Sequence, residues 1–416
     1  MLQPSIGITA QTGRNVSKPS GTNIANMKKA ICLVWIFFVL SAAGNLFSQE
    51  NRHTTATDTL SAQPPPKRNL FRKVIEYFGR SNQPNPDKKF DFSIIGGPHY
   101  SSDVQFGIGI VAAGLYKVHY NDPLTPISDV SLYGDVSTTG FYMIGIRGNN
   151  LFRLDRWRIK YNVYIYSFPG YFWGNGYENG SRDENKSKYL RLETQVRADG
   201  LRWLRPHLYG GISAGFDYVK GKDFRKPELL EGEAKESVSG NAGIVLEYDS
   251  RDFISGAYSG LYLKIGQRFF WGRSGNAFQF NRTEFIADYY RTLWKGSILA
   301  FDLHGEFNYG KVPWTLMAHL GGSYRMRGYY DGQYRDKNLI EAQIELRQKI
   351  WKRIGATAWI GAGNVFGDLR EWHWGHTLPN GGIGLRWEFK QRVNIRLDYG
   401  IGKGQSAFIF SINEAF

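Results

Sequence analysis

In residues 160–166 (KYNVYIY), 383–389 (IGLRWEF) and 408–412 (FIFSI), apolar or aromatic side chains recur at every second position. Successive side chains of a β-strand point to opposite faces, so a period of two predicts strands with one apolar face. The same period begins near Lys88 and continues to the last residues of the chain. We therefore predict an all-β protein over residues 88–416.

The number and length of these segments indicate the type of β structure. Most have at least the roughly ten residues that a tilted strand needs to cross a bilayer. Sixteen strands are predicted, near 88–97, 105–118, 127–134, 140–149, 156–167, 187–198, 202–217, 237–248, 257–270, 277–291, 296–309, 336–349, 353–364, 380–389, 392–402 and 405–415. Because an even number of such strands is typical of bacterial outer-membrane barrels, we predict a 16-stranded antiparallel transmembrane β-barrel.

The connections between the predicted strands favour the same fold. The long connections follow odd-numbered strands and lie at 168–186, 218–236, 310–335 and 365–379. The connections after even-numbered strands are mostly brief, as at 199–201, 292–295, 350–352 and 390–391. Long extracellular loops and short periplasmic turns segregate in this way in outer-membrane barrels. A pair of soluble β-sandwiches, the alternative all-β fold, does not predict this segregation.

The composition excludes several other classes of protein. A mean hydropathy of −0.40 is too low for a helical protein with many membrane spans. A single Cys among 416 residues excludes a disulfide framework and a multi-cysteine metal site. The formal net charge is +15, but no basic helix or aromatic RNA-binding pattern accompanies it, so we expect contact with outer-membrane lipid and no nucleic acid.

The first 87 residues differ in composition from the rest. Met27-Lys28-Lys29, an apolar run and a group of small residues follow the order of a secretory signal peptide, so residues 1–48 are predicted to be a leader and signal peptide that starts at Met27. An uncleaved anchor in the apolar run is the alternative. Residues 49–87 are predicted to be a disordered linker with one short amphipathic helix at 70–80.

Several motifs in the second half of the chain resemble those of a known family. The most specific is at residues 320–331 (LGGSYRMRGYYD), and the set comprises Gly321-Gly322, Arg327-Gly328-Tyr329, Asp249-Ser250-Arg251-Asp252 with Gly260, and Gly361-Ala-Gly-Asn-Val-Phe366. Over roughly residues 88–416 the chain is similar to the Omp85 superfamily, the surface-antigen D15 group that includes BamA- and TamA-like outer-membrane barrels.

The resemblance implies a position and a partner for Arg327. In the family the loop with this signature is extracellular and folds back into the lumen. A partly desolvated guanidinium there needs a carboxylate, and Glu345 matches the family's acidic partner. Glu341 lies four residues earlier on the same face of the strand. Gly361 stands where the family usually has a second acidic residue, and Glu341 is the expected replacement.

The resemblance also implies roles for two other motifs. The residues of the expected periplasmic turn before a mid-barrel strand are Asp249, Arg251, Asp252 and Gly260. The residues that match the aromatic-terminated signal by which such barrels are themselves inserted are Phe410, Ile412 and Phe416.

The function that the resemblance implies is insertion or translocation of other outer-membrane polypeptides, the clients, together with periplasmic or outer-membrane accessory subunits. Assembly members carry POTRA modules, and residues 49–87 leave too little room for one. The first predicted strand contains Gly96-Gly97 followed by Pro98, so its pairing with the last strand is expected to be weak. The seam between the first and last strands would then offer an edge on which a client strand can form.

The sequence does not predict an enzyme. Gly211-Ile-Ser-Ala-Gly215 fits the G-x-S-x-G pattern, but Ser213 lies within a predicted strand with no helix after it. His373 and His376 lack a nearby third ligand and make a weak metal site. We therefore expect no catalysis, no cofactor and no metal. A passive porin-like channel and a structural surface antigen are the alternative functions.

Overall fold

The computed structural model describes residues 10–11, 89–101, 105–254, 256–390 and 392–416. Apart from Ala10 and Gln11, the predicted leader and the predicted linker with its helix lie outside these residues. Over the described ranges, no helix is both long enough and apolar enough to cross a membrane.

Within the described ranges, sixteen antiparallel strands form one continuous sheet, in which each strand pairs with the next along the chain. The sheet is the predicted 16-stranded β-barrel. The strands are β1 (Phe90–Ser101), β2 (Gln105–Tyr116), β3 (Ser128–Ser137), β4 (Tyr142–Leu151), β5 (Trp157–Phe172), β6 (Ser187–Arg205), β7 (Leu208–Lys222), β8 (Glu236–Asp249), β9 (Gly260–Ser274), β10 (Asn276–Trp294), β11 (Ser297–Gly310), β12 (Asn338–Trp351), β13 (Ile354–Phe366), β14 (Leu378–Lys390), β15 (Val393–Gly402) and β16 (Gln405–Ile412).

The remaining elements are short. The one-turn helix α1 spans Gly176–Gly180. Single 3-10 turns lie at Arg153–Asp155, Asp183–Asn185, Pro227–Leu230, Trp314–Leu316, Leu369–Glu371 and Trp374–His376. A hairpin of Ala318–Leu320 and Tyr334–Asp336 lies between β11 and β12. A two-residue strand, Ala10–Gln11, pairs with β16.

Apolar and polar side chains are distributed over the two faces of the sheet in the reverse of the arrangement in a soluble protein. Apolar side chains point outward, and Ile244 and Ile360 are 64% and 69% exposed. Charged side chains point inward and are buried, as Lys264, Arg268 and Glu284 are. An apolar exterior around a polar interior is the arrangement that a lipid environment requires.

Several predicted strand ends differ from the observed ones by up to five residues, and the β6–β7 turn is misplaced by more. We expect a turn at 199–201, but β6 continues to Arg205 and the turn lies at Pro206 and His207. The sequence Asp199-Gly200 is typical of a turn, yet Asp199 is a lumen residue that lies 3.4 Å from the ammonium of Lys264. The true turn is marked by Pro206, which cannot donate to a ladder, and by His207, whose φ is +64°.

Candidate functional site

The connection between β11 and β12, residues 311–337, folds back into the barrel, and we call it the inward loop. Its side chains at Leu320 and Tyr329 are fully shielded from solvent. The barrel wall also binds the loop backbone, since Arg191 Nη2 donates to the carbonyl of Thr315 at 3.3 Å. The loop therefore occupies part of the lumen, as the sequence predicts.

Glycines shape the tip of the inward loop. Gly321 and Gly322 both have a φ of +106°, and Gly328 has a φ of +115°. A Cβ atom at Gly328 would lie 2.7 Å from the backbone nitrogen of Ile401 in β15. Both the backbone conformation and this close approach to the wall require glycine.

The Arg327 side chain is fully buried and joins the inward loop to the barrel wall. Its Nη2 atom forms an ion pair with Glu345 of β12, and its Nη1 atom lies 2.8 Å from Oδ2 of Asp398 in β15. Gln343 accepts a hydrogen bond from Nη2 at 3.3 Å. The guanidinium carbon also lies 3.6 Å from the centre of the Trp359 ring. Two carboxylates and an aromatic face thus offset the cost of burying this cation.

The same two carboxylates bind three wall arginines. Arg347 Nε lies 2.7 Å from Glu345 Oε1, and Arg396 Nη1 lies 2.8 Å from Asp398 Oδ2. Arg386 contacts both carboxylates, the one on Glu345 at 3.7 Å. Together with the loop arginine, these residues form a network, the arginine cluster, that extends over β12, β14 and β15.

Three hydrogen bonds add to this attachment. Arg396 Nη2 donates to the carbonyl of Ser323 at 2.6 Å, and Asn380 Nδ2 donates to the carbonyl of Arg327 at 3.1 Å. The hydroxyl of Tyr329 donates to a β14 carbonyl at 2.7 Å. The loop is therefore held by backbone and side chain together.

Glu341 is not part of the arginine cluster. Its Oε1 atom lies 2.8 Å from Nδ1 of His304 on β11. In the described part of the chain, the carboxylates that pair with Arg327 belong to Glu345 and Asp398. Residues four apart on a strand are separated by about 13 Å, and the two glutamates have different partners, Glu341 with His304 and Glu345 with Arg327. Asp398 takes the place that we expect Glu341 to fill.

A second arginine of the inward loop has a separate partner. Arg325 binds Asp302 of β11 in a two-pronged ion pair, with Nη2 at 2.7 Å from Oδ1 and Nε at 2.8 Å from Oδ2. Gln343 donates to the same carboxylate at 3.1 Å. Arg325 thus attaches the loop to the strand from which it leaves, whereas Arg327 attaches it to strands further around the barrel.

The residues of the predicted turn motif lie at the two ends of the β8–β9 connection. The Asp249 carboxylate lies 2.8 Å from Nε of Arg251 and 2.9 Å from Nη1 of Arg158 on β5. Gly260 has a φ of +114°, and a Cβ there would lie 2.4 Å from the carbonyl oxygen of Ser250. The motif fixes the angle at which the chain enters β9.

The same turn reaches the connection between β14 and β15. Asp252 accepts hydrogen bonds from the backbone N–H of Tyr258 at 2.9 Å and forms an ion pair with Arg392. Burial alone would raise the pKa of Asp252, but the Arg392 guanidinium and the backbone N–H groups outweigh it and lower the pKa. The guanidinium of Arg392 also lies 3.8 Å from the Tyr258 ring centre.

The C-terminal residues divide between the two faces of the wall. Phe410 and Ile412 alternate with buried Ser411 and lie on the outward face. The strand ends at Ile412, three residues earlier than expected, and the chain then turns inward. The Phe416 carbonyl accepts a hydrogen bond from Arg347 Nη2 at 3.0 Å.

The residues considered for catalysis or metal binding lie outside the arginine cluster. Ser213 is in the middle of β7, where its hydroxyl accepts a hydrogen bond from Arg268 Nε at 2.9 Å. The His373 and His376 rings are 5.0 Å apart. The ranges that the structure covers contain no group of three or more His, Cys, Asp or Glu side chains that could hold a metal ion.

A barrel with an apolar exterior and an extracellular loop fastened inside its lumen by a buried arginine defines a class of outer-membrane protein. A family model described as the Omp85 superfamily domain matches residues 116–416. The chain belongs to the Omp85 superfamily and is an outer-membrane protein.

Two solved structures share the fold. BamA from Haemophilus ducreyi lacking POTRA domains 1–3 aligns with a TM-score of 0.51 at 12% identity, over 77% of this chain and 70% of that chain. CdiB from Escherichia coli aligns with a TM-score of 0.50 at 10% identity, over 79% of this chain. The alignment spans 63% of that CdiB chain, so this chain corresponds to less than two thirds of its length. No curated protein matches the sequence.

Proposed function

We propose that this barrel inserts or translocates client outer-membrane polypeptides at the seam between β1 and β16. The mechanism is non-enzymatic: a client strand pairs with an exposed strand edge, and the bilayer supplies the driving force. Membership of the Omp85 superfamily supports the general role, and the structure of the last strand supports the place.

The observation that carries the proposal is the strand seated on the outer edge of β16. Ala10 pairs with Phe408 and Gln11 pairs with Ala407, both antiparallel. These two residues lie outside the sixteen barrel strands. The edge of β16 thus accepts backbone from a segment other than its barrel neighbours, which is the type of interaction that a client strand would make.

The physics of the bilayer favours such pairing. A backbone N–H or C=O without a partner costs several kcal/mol in hydrocarbon. With eight residues, β16 is the shortest of the sixteen strands. Pairing a client strand along this edge replaces unsatisfied groups by hydrogen bonds, so it is favourable without any chemical step.

The arginine cluster has a mechanical role in this proposal. Arg327 and Arg396 tie the inward loop to β15, the strand that pairs with β16. The wall next to the seam is therefore braced from within, so that movement is confined to the seam. Clients and any accessory subunits are the proposed partners.

The lumen gives little support to a passive channel. Its charged side chains are buried and paired with one another, as in the ion pairs Lys264–Asp199 and Arg268–Glu284 at 3.4 and 3.1 Å. A water-filled pore would leave such side chains exposed. Conductance in planar bilayers that persists after loss of Arg327 would favour the channel instead.

A disulfide across the seam tests the proposal. One cysteine replaces Ile94 in β1 and the other replaces Phe408 or Phe410 in β16, in a chain with Cys32→Ser. The matched control joins β2 to β3 through Ile108→Cys and Val136→Cys, which are paired and exposed on the outer face.

We expect the seam disulfide to lower the amounts of other outer-membrane proteins, with recovery on reduction, and the control disulfide to have no effect. Normal amounts under a seam cross-link confirmed on a non-reducing gel would contradict the proposal.

A further inference from the structure

The short-turn end of the barrel, which faces the periplasm in outer-membrane barrels, repeats one arrangement at four places. An exposed tryptophan lies beside exposed basic side chains at the β4–β5, β6–β7, β10–β11 and β12–β13 connections. The four tryptophans, which are 41–56% exposed, are Trp157, Trp203, Trp294 and Trp351. They group into two patches because neighbouring strands bring the connections together in pairs.

The first rim patch consists of Arg156, Trp157, Arg202, Trp203 and Arg205. Trp157 and Arg202 are paired across β5 and β6, and the Arg202 guanidinium lies 5.6 Å from the centre of the Trp157 ring. The N–H of Trp203 donates to the carbonyl of Arg156 at 2.8 Å. The two connections are thus held together as one surface.

The second rim patch consists of Arg291, Trp294, Lys295, Trp351 and Lys352. It is joined by two hydrogen bonds between the β10–β11 and β12–β13 hairpins: Trp294 Nε1 donates to the Gln348 side chain at 2.9 Å, and the N–H of Lys349 donates to the carbonyl of Gly296 at 2.7 Å. The Lys352 ammonium lies 4.8 Å from the centre of the Trp351 ring.

The patch cations are not neutralised by the protein. Across the described residues, no carboxylate lies within ion-pair distance of the six patch cations, which are Arg156, Arg202, Arg205, Arg291, Lys295 and Lys352. The acids of this rim have other partners, since Asp122 pairs with Arg153 at 3.1 Å and Glu388 pairs with Lys349 at 3.3 Å. The patches therefore present uncompensated positive charge at the surface.

We propose that each rim patch binds the headgroup of an anionic phospholipid in the leaflet at the short-turn end. Indole rings prefer the boundary between hydrocarbon and water, which sets the depth of each patch at the level of the phosphate groups. Arginine and lysine donate charge-assisted hydrogen bonds to phosphate oxygens. A basic patch between membrane-spanning elements is a site of the kind that binds anionic headgroups.

The test uses the full chain in nanodiscs of equal parts phosphatidylcholine and phosphatidylglycerol, with the lipids that remain bound counted by native mass spectrometry. The patch variant carries Arg202→Gln, Arg205→Gln, Lys295→Gln and Lys352→Gln. The control variant carries the same change of charge on exposed cations of the long-loop end, and its substitutions are Lys222→Gln, Arg225→Gln, Lys235→Gln and Lys311→Gln.

We expect the native chain and the control variant to retain phosphatidylglycerol in preference to phosphatidylcholine. The patch variant should lose this preference by about tenfold or more, because each surface cation contributes to the attraction of anionic lipid. An equal loss in both variants, or no preference in the native chain, would overturn the proposal. Heat-modifiable migration on a gel shows that each variant is folded.

A second variant, Trp157→Gln with Trp351→Gln, separates headgroup recognition from simple charge attraction. Loss of preference in this variant, with all patch cations present, is expected if the indoles hold the cations at headgroup depth. An unchanged preference for phosphatidylglycerol would show that charge alone retains the lipid, and would contradict a headgroup site formed by the tryptophans and cations together.

Discussion

Two regions of the lumen are held together in different ways. In the region lined by β5–β10, ion pairs run from wall to wall, as Lys160 does to Glu247 and Lys264 to Asp199. In the region lined by β11–β16, the inward loop lies between the walls, and its arginines pair with wall carboxylates. The ion pairs of the first region join strand to strand, whereas those of the second region also join the loop to the strands.

This difference has an energetic consequence. A buried ion pair contributes little net stability, but removal of one partner leaves an uncompensated charge and costs several kcal/mol. Breaking a wall-to-wall pair should therefore weaken the barrel as a whole. Breaking a loop-to-wall pair should lower stability and also release the loop, while the sheet still forms.

The largest effect is expected from Arg327→Ala. The substitution leaves Glu345 and Asp398 with fewer positive partners and removes the contact with Trp359, at a cost of about 3–5 kcal/mol. Urea unfolding in lipid vesicles should show the loss of stability, while the barrel still reaches the outer membrane. Wild-type stability in this variant would contradict the assigned contacts.

A smaller loss of stability, without release of the inward loop, is expected from Lys264→Met. The side chain is buried beside Asp199 and Glu284, and Met keeps much of its volume while removing the charge. Stability should fall by about 2–3 kcal/mol, and the inward loop should stay as resistant to protease as in the native chain. If the loop became sensitive to protease, the two regions would not be independent.

The smallest effect distinguishes two acidic residues. Asp398→Asn should weaken the attachment of the loop by about 2 kcal/mol, because it replaces a charged acceptor of Arg327 and Arg396 by a neutral one. Glu341→Gln should leave the loop attached, since Glu341 pairs with His304. Protease resistance of the loop measures the effect of each substitution. Equal protease sensitivity of the two variants would mean that the Asp398 carboxylate is no more important than Glu341 for attaching the loop.

The sequence predicts the fold better than it predicts the site. The period of two, the even number of strands and the segregation of long loops all arise from local patterns, and they lead to the barrel that the structure shows. The largest error is the β6–β7 turn, where Asp199-Gly200 resembles a turn because a lumen-facing aspartate and a turn aspartate are identical in sequence.

The site depends on contacts between distant residues. Asp398 is 71 residues from Arg327, and only the register of four successive strands brings the two together. A signal was nevertheless present, since Arg396 and Asp398 lie two apart on one face of a strand whose other face is apolar. Charges cannot face lipid at low cost, so this pair had to point into the lumen.

Thiol labelling of the inward loop tests the central claim most directly. Ser323→Cys, in a chain with Cys32→Ser, places a thiol at a buried position of the loop, and Asp331→Cys provides an exposed reference on the same loop. A membrane-impermeant maleimide should react rapidly with the reference and hardly at all at position 323. Adding Arg327→Ala should make the thiol at 323 reactive. Rapid reaction at 323 with Arg327 intact, or no change on its removal, would contradict the account.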